Sequence, residues 1–297
     1  MKLYTYQTGN DGVDRLGVEC SGWPGMLWPV EAFGLKFNDM HDLICRITPR
    51  QLAHLADAEA ATEGNALRLS NVRLRPPIPH PVQDIICLGI NYAEHAVESA
   101  RFHEQSFLLS REKATYFSKR AYETTGDGDP IPAYTGLVDS LDYEAELGVI
   151  ISKDCKNVSE REAQNYVFGY TIINDVSARN LQTEHHQWYF GKSLDGFTPM
   201  GPCIVTADEF AFPPALAISS TVNGELRQNS NTDHLLHSIA EIIAELSRGI
   251  TLRAGTIIAT GTPAGVGMGF TPPRFLKKGD VVTCEIEGIG KLTNTVK

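Results

Sequence analysis

Apolar residues recur along the chain in two periods, and the strand-like period dominates. DIICLGI, AELGVII, FGYTIIND, LAISSTVNGELRQ, GTIIATGT and VVTCEIEGIGKLTNTV each hold continuous or alternating apolar residues over strand lengths, and Asn223-Gly224 supplies a hairpin turn. The helical period is clearest in HLLHSIAEIIAELSRG. There Leu235, Leu236, Ile239, Ile242, Ile243 and Leu246 form one stripe, with Gly249 at the C-terminal cap, which predicts a core-packing helix. A second helix is predicted over NYAEHAVESARF, with Asn91 as N-cap and Glu94 as its capping-box partner.

Before these elements, KLYTYQ and RLGVEC flank the turn-like GNDGVD as a hairpin, and Thr48, Pro49 and Gln51 mark the start of a helix by cap, first-turn proline and box partner. RPPIPHPVQ then places four prolines within residues 76–81, too many for a helix or central strand. The chain is therefore divided into a small N-terminal α+β domain (1–75), a Pro-rich extended linker (76–83) and a main domain (84–297).

A chain of 297 residues can bury a large core without staples. Its six cysteines form no CxxC pair, which argues against a zinc ribbon, a redox motif or a disulfide framework and makes a reducing cytoplasm the default location. The start MKLYTYQTGND lacks an apolar signal core, and no apolar run approaches the roughly 20 residues of a membrane span. A net charge of −10 disfavours nucleic acid and anionic membranes as partners. A small anionic substrate responds to the local field instead.

Several chemistries are excluded by inspection. FGKSLDG ends like a nucleotide-binding loop but has His186 where that loop needs glycine, and the chain holds no GxSxG, HExxH or EF-hand pattern. Gly265, Gly267 and Gly269 lack the setting of a dinucleotide fingerprint, so they serve close backbone approach or tight folding. What remains is polar residues at the ends of apolar strands. In SLDYEAELGVII, Asp142, Glu144 and Glu146 alternate and would share one strand face about 7 Å apart, repelling by roughly 2 kcal/mol per neighbouring pair. Either the strand end faces water or a cation resolves the conflict. Asp175, ending YTIIND, adds a third acid to Glu144 and Glu146, and an all-oxygen set of this kind suits Mg²⁺ or Mn²⁺. His95 and Glu98, three apart on a helix, form an exposed pair or a carboxylate-oriented base. Lys192 is a solvated lysine or a functional one. Arg179 and Gln182 could clamp a carboxylate or cap a turn, and Thr260 and Thr262 in TGTPAGVG offer hydroxyls and N–H groups or shape a turn.

Taken in order, GINYAEHAVE, DYEAELGVII, GYTIINDVSARNLQ, GKSLDGFTPMGP, TVNGELRQ and ATGTPAGVGMG resemble the fumarylacetoacetate hydrolase family from about residue 85 to the C-terminus. The resemblance implies a β-rich α+β fold of several mixed sheet layers, a Mg²⁺ or Mn²⁺ site and a homodimer. It places metal ligands on Glu144, Glu146 and Asp175, with Asp142 supporting the motif. The catalytic lysine falls on Lys192, a His/Glu dyad on His95 and Glu98, and substrate contacts on Arg179, Gln182 and Thr262. The chain departs from the family's frequent Lys-Pro at Lys119-Arg120. The implied reaction is hydrolysis of the C3–C4 bond of an acylpyruvate-type 2,4-dioxo acid through a pyruvate enolate, with oxaloacetate decarboxylation and 2-hydroxy-dienoate isomerisation as alternatives on the same site. A non-catalytic protein with a structural divalent ion is a remote further alternative.

Overall fold

The two longest fully buried strands, Ala145–Ile151 and Val167–Asn174, lie near the middle of an 11-stranded sheet. The structure, a computed structural model, describes residues 1–9, 11–57, 66–102 and 113–297. In chain order the N-terminal elements are β1 (Lys2–Gln7), β2 (Arg15–Glu19), β3 (Met26–Pro29), α1 (Met40–Arg46), α2 (Pro49–Ala56), β4 (Leu67–Arg68) and β5 (Arg73–Arg75). Then come β6 (Ile85–Leu88), α3 (Ala93–Phe102), β7 (Tyr116–Lys119), β8 (Pro130–Ile131), β9 (Leu141–Asp142), β10 (Ala145–Ile151) and β11 (Val167–Asn174). The remainder is β12 (Ser177–Ala178), α4 (Arg179–Glu184), α5 (Tyr189–Lys192), β13 (Met200–Thr206), β14 (Ala217–Val222), β15 (Glu225–Asn231), α6 (Ile239–Ser247), β16 (Ile257–Ala259), β17 (Val281–Ile286) and β18 (Gly290–Val296).

The large sheet runs β4-β3-β2-β1-β13-β11-β10-β16-β6-β7, with β5 paired to β1 off this path, and a five-stranded sheet runs β15-β14-β17-β18-β8. Alternation along the central strands divides the core. Leu147, Val149, Tyr170 and Ile172 pack with Ile218, Val282 and Leu292 of the second sheet and with Ile242 and Ile243 of α6. On the opposite face Ile150, Ile173, Ile204 and Ile257 pack with Leu43, Ile44 and Leu55 of α1 and α2. The result is the β-rich, multi-layered α+β arrangement expected. β1 pairs with β13, Leu3 opposite Ile204, so the strands of the first 75 residues extend the same sheet. Among the described residues no helix is long and apolar enough to cross a membrane.

Local signals account for most elements. β1 and β2 form the expected hairpin, Thr48 and Gln51 make the capping box of α2, and Asn223 and Gly224, with φ of 53° and 80°, make the turn between β14 and β15. Two readings are corrected. The stripe that opens at Leu235 does not begin a helix there: Leu235 bridges Tyr92, and α6 starts at Ile239, where Ser238 and Glu241 form a capping box. Asn91 is not a helix cap, because its amide is committed to Thr260 O, His237 O and His237 N. The Pro-rich segment is packed, with Thr5 and Thr124 donating to Pro77 O and Ile78 O.

Strand directions then gather four segments. β6 and β16 are parallel, whereas β10 is antiparallel to both β16 and β11. The C-terminal ends of β6, β16 and β11 therefore meet the start of β10. Asn91 to Glu98, Thr260 to Gly269, Asp175, and Glu144 with Glu146 all follow or precede those ends.

Candidate metal centre and active site

The three alternating acids do not act together. β9 ends at Asp142 and β10 starts at Ala145, so the strand is interrupted where one shared face was expected. The Asp142 carboxylate turns away to accept N–H bonds from Gly267 (2.6 Å), Met268 (3.0 Å) and Tyr143 (2.9 Å), and a bond from Arg179 Nε (2.9 Å). Glu144 and Glu146 instead converge with Asp175. Antiparallel pairing sets Ala145 opposite Asn174, and Asp175 N–H donates to Glu144 O at 2.8 Å. One oxygen from each of the three buried carboxylates lies within 4.8 Å of the others.

Three buried cations surround this group. Lys192 Nζ donates to Glu144 Oε2 and Asp175 Oδ2, both at 2.7 Å. Arg179 Nη2 is 2.7 Å from Glu144 Oε1 and Lys119 Nζ is 2.7 Å from Asp175 Oδ1, both ion pairs lacking hydrogen-bond alignment. Burial alone would raise the Glu144 carboxyl, but Lys192 and Arg179, with His95 adding, hold it down at about 2. Among the described residues Glu146 has no such ion pair. Burial, then the charges of Asp175 and Glu144, push its carboxyl well above the usual range. Its Oε2 accepts from Gly261 N–H at 2.8 Å, while Oε1 is buried without a hydrogen-bond partner among the described residues.

A hard divalent cation fits this arrangement. The donors are all oxygens, one is an orphan, and carboxylate oxygens already bonded to an ammonium keep a second lone pair. Counting Asp142, four carboxylates face three cations, so a divalent ion would leave the ionised cluster with one positive charge for an anionic ligand.

His95 is 2 % exposed on α3, and its Nδ1 stands 3.5 Å from Glu98 Oε2. Gly265 N–H donates to both Glu98 oxygens, at 2.9 and 3.0 Å, and a Cβ on Gly269 would come within 2.5 Å of that carboxyl group. The glycines of GTPAGVGMG thus admit Glu98 and Asp142 to the loop backbone. Gln182 Oε1 accepts from Arg179 Nη1 at 3.1 Å, which joins the two α4 residues expected to meet a carboxylate. The Thr262 hydroxyl donates to Ala145 O at 2.9 Å and accepts from Gln228 Nε2 at 2.7 Å, so it is committed to the protein.

Two residues absent from the expected set complete the site. Gln228 links Ala145 N–H, Ser220, Thr262 and Pro263 O through one buried amide. Lys119 is fully buried and also donates to Val176 O and Lys192 O. A signal for it existed: Phe117 and Lys119 share a face of β7, and the Phe117 ring lies 5.2 Å from Lys192 Nζ.

Residues 84–297 match the family model described as fumarylacetoacetate (FAA) hydrolase C-terminal. The chain is 44% identical over 248 residues to the oxaloacetate tautomerase YisK of Bacillus subtilis, covering 83% of this chain and 81% of that protein. A fumarylacetoacetate hydrolase structure from Exiguobacterium antarcticum is similar with a TM-score of 0.83 and 39% identity, covering 100% of this chain and 99% of that one. The maleylpyruvate hydrolase of Sphingobium sp. SYK-6, solved with manganese(II) and pyruvate, gives a TM-score of 0.75 and 31% identity over 100% of this chain and 98% of that one. Sequence motifs, fold and the carboxylate centre agree with these matches, and the chain belongs to the fumarylacetoacetate hydrolase family.

Proposed function

We propose that the chain is a Mg²⁺- or Mn²⁺-dependent enzyme that enolises a small 2-oxo acid, with keto–enol exchange of oxaloacetate as its reaction. The observation that carries this reading is the orphan Oε1 of Glu146, in a buried carboxylate set whose field extends to the buried His95. The 44% identity to an oxaloacetate tautomerase directs the choice of reaction, and the manganese and pyruvate bound by the maleylpyruvate hydrolase support the choice of ion and substrate class.

Glu144, Glu146 and Asp175 would hold a divalent ion, which would supply Lewis acidity toward a 2-oxo acid. The protein does the rest. Gln182 and Arg179 orient the carboxylate, and Thr262 contributes through its backbone, its hydroxyl being engaged. His95 takes a proton from C3, the C–H electron pair becomes the C2–C3 double bond, and the same proton returns to the oxygen on C2. Glu98 steadies the imidazolium while it holds that proton. Lys192 adds positive charge where the oxygen becomes negative. Burial excludes water from the exchange.

A second reading, hydrolysis of the C3–C4 bond of an acylpyruvate, is favoured by the His95–Glu98 pair, which could equally deprotonate a water. Residues 84–297 carry the chemistry in either case, as a cytoplasmic homodimer acting on small 2-oxo acids. The test is a spectrophotometric panel with Mg²⁺ and with Mn²⁺: ketonisation of enol-oxaloacetate, loss of oxaloacetate by decarboxylation, and cleavage of acylpyruvates. Faster acylpyruvate cleavage than ketonisation would replace the first reading by the second, and inactivity on all three with metal bound would remove both.

A further inference from the structure

Tyr92 carries a hydroxyl that no described residue answers. The side chain is fully buried, and its oxygen has no hydrogen-bond partner. The backbone around it is fixed: Tyr92 O accepts from Ala96 N–H at 3.0 Å, Tyr92 bridges Leu235, and the neighbouring Asn91 amide is tied to Thr260 and His237. A buried hydroxyl without a partner weakens the folded state unless something else meets it.

Its surroundings indicate what that is. A Cβ on Gly261 would lie 2.8 Å from Asn91 Cβ, and the N–H of Gly261 donates to Glu146 Oε2. The segment bearing Tyr92 therefore backs onto the carboxylate centre through a single glycine. Tyr92 immediately precedes α3, three residues before His95 and six before Glu98. Tyr92 Oη, His95 Nδ1 and Glu146 Oε1 are each buried without a hydrogen-bond partner among the described residues. Burial, followed by the charge of Glu146, pushes the phenol up, so its proton stays on oxygen and the group can only donate or accept a hydrogen bond.

We infer that Tyr92 is a further catalytic residue whose O–H donates to an oxygen of the bound 2-oxo acid. The inference rests on the 2-oxo acid reading given above. An enolising substrate gains negative charge on that oxygen, so a fixed, desolvated donor binds the transition state more strongly than the ground state. No proton leaves the phenol.

Tyr92→Phe tests this in the full-length protein. Thermal melting of the metal-free protein, calorimetric titration with Mn²⁺, titration of the Mn²⁺-loaded protein with oxalate as a planar mimic of the enolate, and steady-state kinetics are compared with wild type. The expected result is an unchanged or higher Tm, unchanged Mn²⁺ affinity, and oxalate affinity and kcat/KM each lower by about 10- to 100-fold, the size of one charge-assisted hydrogen bond. Wild-type oxalate binding in the variant would overturn the inference. So would a drop in Tm or in Mn²⁺ affinity with oxalate affinity retained, because the hydroxyl would then serve the core or Glu146. If wild type itself neither binds oxalate nor turns over a 2-oxo acid, the reading of function fails first and this inference falls with it.

Discussion

Lys119 and Lys192 hold opposite oxygens of one carboxylate: their ammonium groups stand 2.7 Å from Oδ1 and Oδ2 of Asp175. All three side chains are buried. Lys119 lies on β7 and Lys192 on α5, so Asp175 joins two elements far apart in sequence. Their protons respond differently. Burial pulls the Lys119 ammonium down despite Asp175, whereas for Lys192 the attraction of Asp175 and Glu144 outweighs burial and holds it up.

Lys119→Met should therefore destabilise the metal-free protein by about 3 to 5 kcal/mol, the cost of breaking a buried pair from one side. A divalent cation replaces the missing charge at Asp175. Melting with and without Mn²⁺ should show a larger metal-induced rise in Tm for the variant than for wild type. Equal rises would mean that Lys119 acts only on the carbonyls of Val176 and Lys192.

Removing a ligand charge should weaken metal binding. Glu144→Gln and Glu146→Gln each delete an anionic donor from a hard-ion site, and calorimetric titration with Mn²⁺ should show lower affinity in both. Unchanged affinity in both would remove β10 from the site.

The two glutamates also set opposite pH dependences. Glu146, raised, holds a proton more tightly in the folded chain than in the unfolded one. Its contribution to metal-free stability is complete below the ordinary carboxylate pKa and is lost as pH rises through its folded value. Glu144, held at about 2, contributes stability above the ordinary value that disappears only as pH falls toward 2. Mn²⁺ competes with the tightly held proton of Glu146, so the number of protons released on binding should fall as pH rises through its folded value. Titration in buffers of different ionisation enthalpy measures it. A buffer-independent enthalpy would show Glu146 already ionised.

Much of this site is legible in the chain because polar residues interrupt apolar runs at Glu144, Glu146 and Asp175. The spacing itself is less informative than it looks: two-residue alternation includes Asp142, yet the break before Ala145 turns that carboxylate to Gly267, Met268 and Arg179. Lys119 was hidden because a lysine at a strand end ordinarily reaches water, and only its shared face with Phe117 indicates otherwise. Gln228 follows an obvious hairpin turn and gives no local sign of the backbone groups it gathers. In α6 the apolar stripe extends further than the helix. Ser238 and Glu241 mark the true start, and Leu235 packs against the core outside it.

Lys192→Met should lower kcat more than it raises KM, since charge beside a developing enolate acts mainly on the transition state. Steady-state kinetics at saturating Mn²⁺ separate this effect from weakened metal binding. Wild-type kinetics would reduce Lys192 to a neutralising partner of Glu144 and Asp175.

Glu98 has two roles in the proposed reading, and one substitution separates them. Its carboxylate accepts the N–H of Gly265, which holds α3 against the glycine-rich loop, and it stands 3.5 Å from His95 Nδ1. Glu98→Gln keeps an acceptor for Gly265 but removes the charge that steadies a protonated imidazole. If charge is what His95 requires, kcat should fall by about 10²-fold or more with Tm nearly unchanged, and His95→Gln should fall by about 10²- to 10⁴-fold. Gly269→Ala provides the opposite case. Its new methyl would meet the Glu98 carboxyl group at 2.5 Å, displacing α3 without altering charge, so KM should rise along with any loss in kcat. Measuring kcat and KM for enol-oxaloacetate and an acylpyruvate in all three variants also separates the two reactions. Water activation would make the pair necessary for acylpyruvate cleavage alone, whereas proton transfer at C3 would make it necessary for both reactions. A steeper loss for acylpyruvate cleavage in Glu98→Gln would assign the dyad to water activation. Equal losses would assign it to a proton transfer at C3 shared by both substrates.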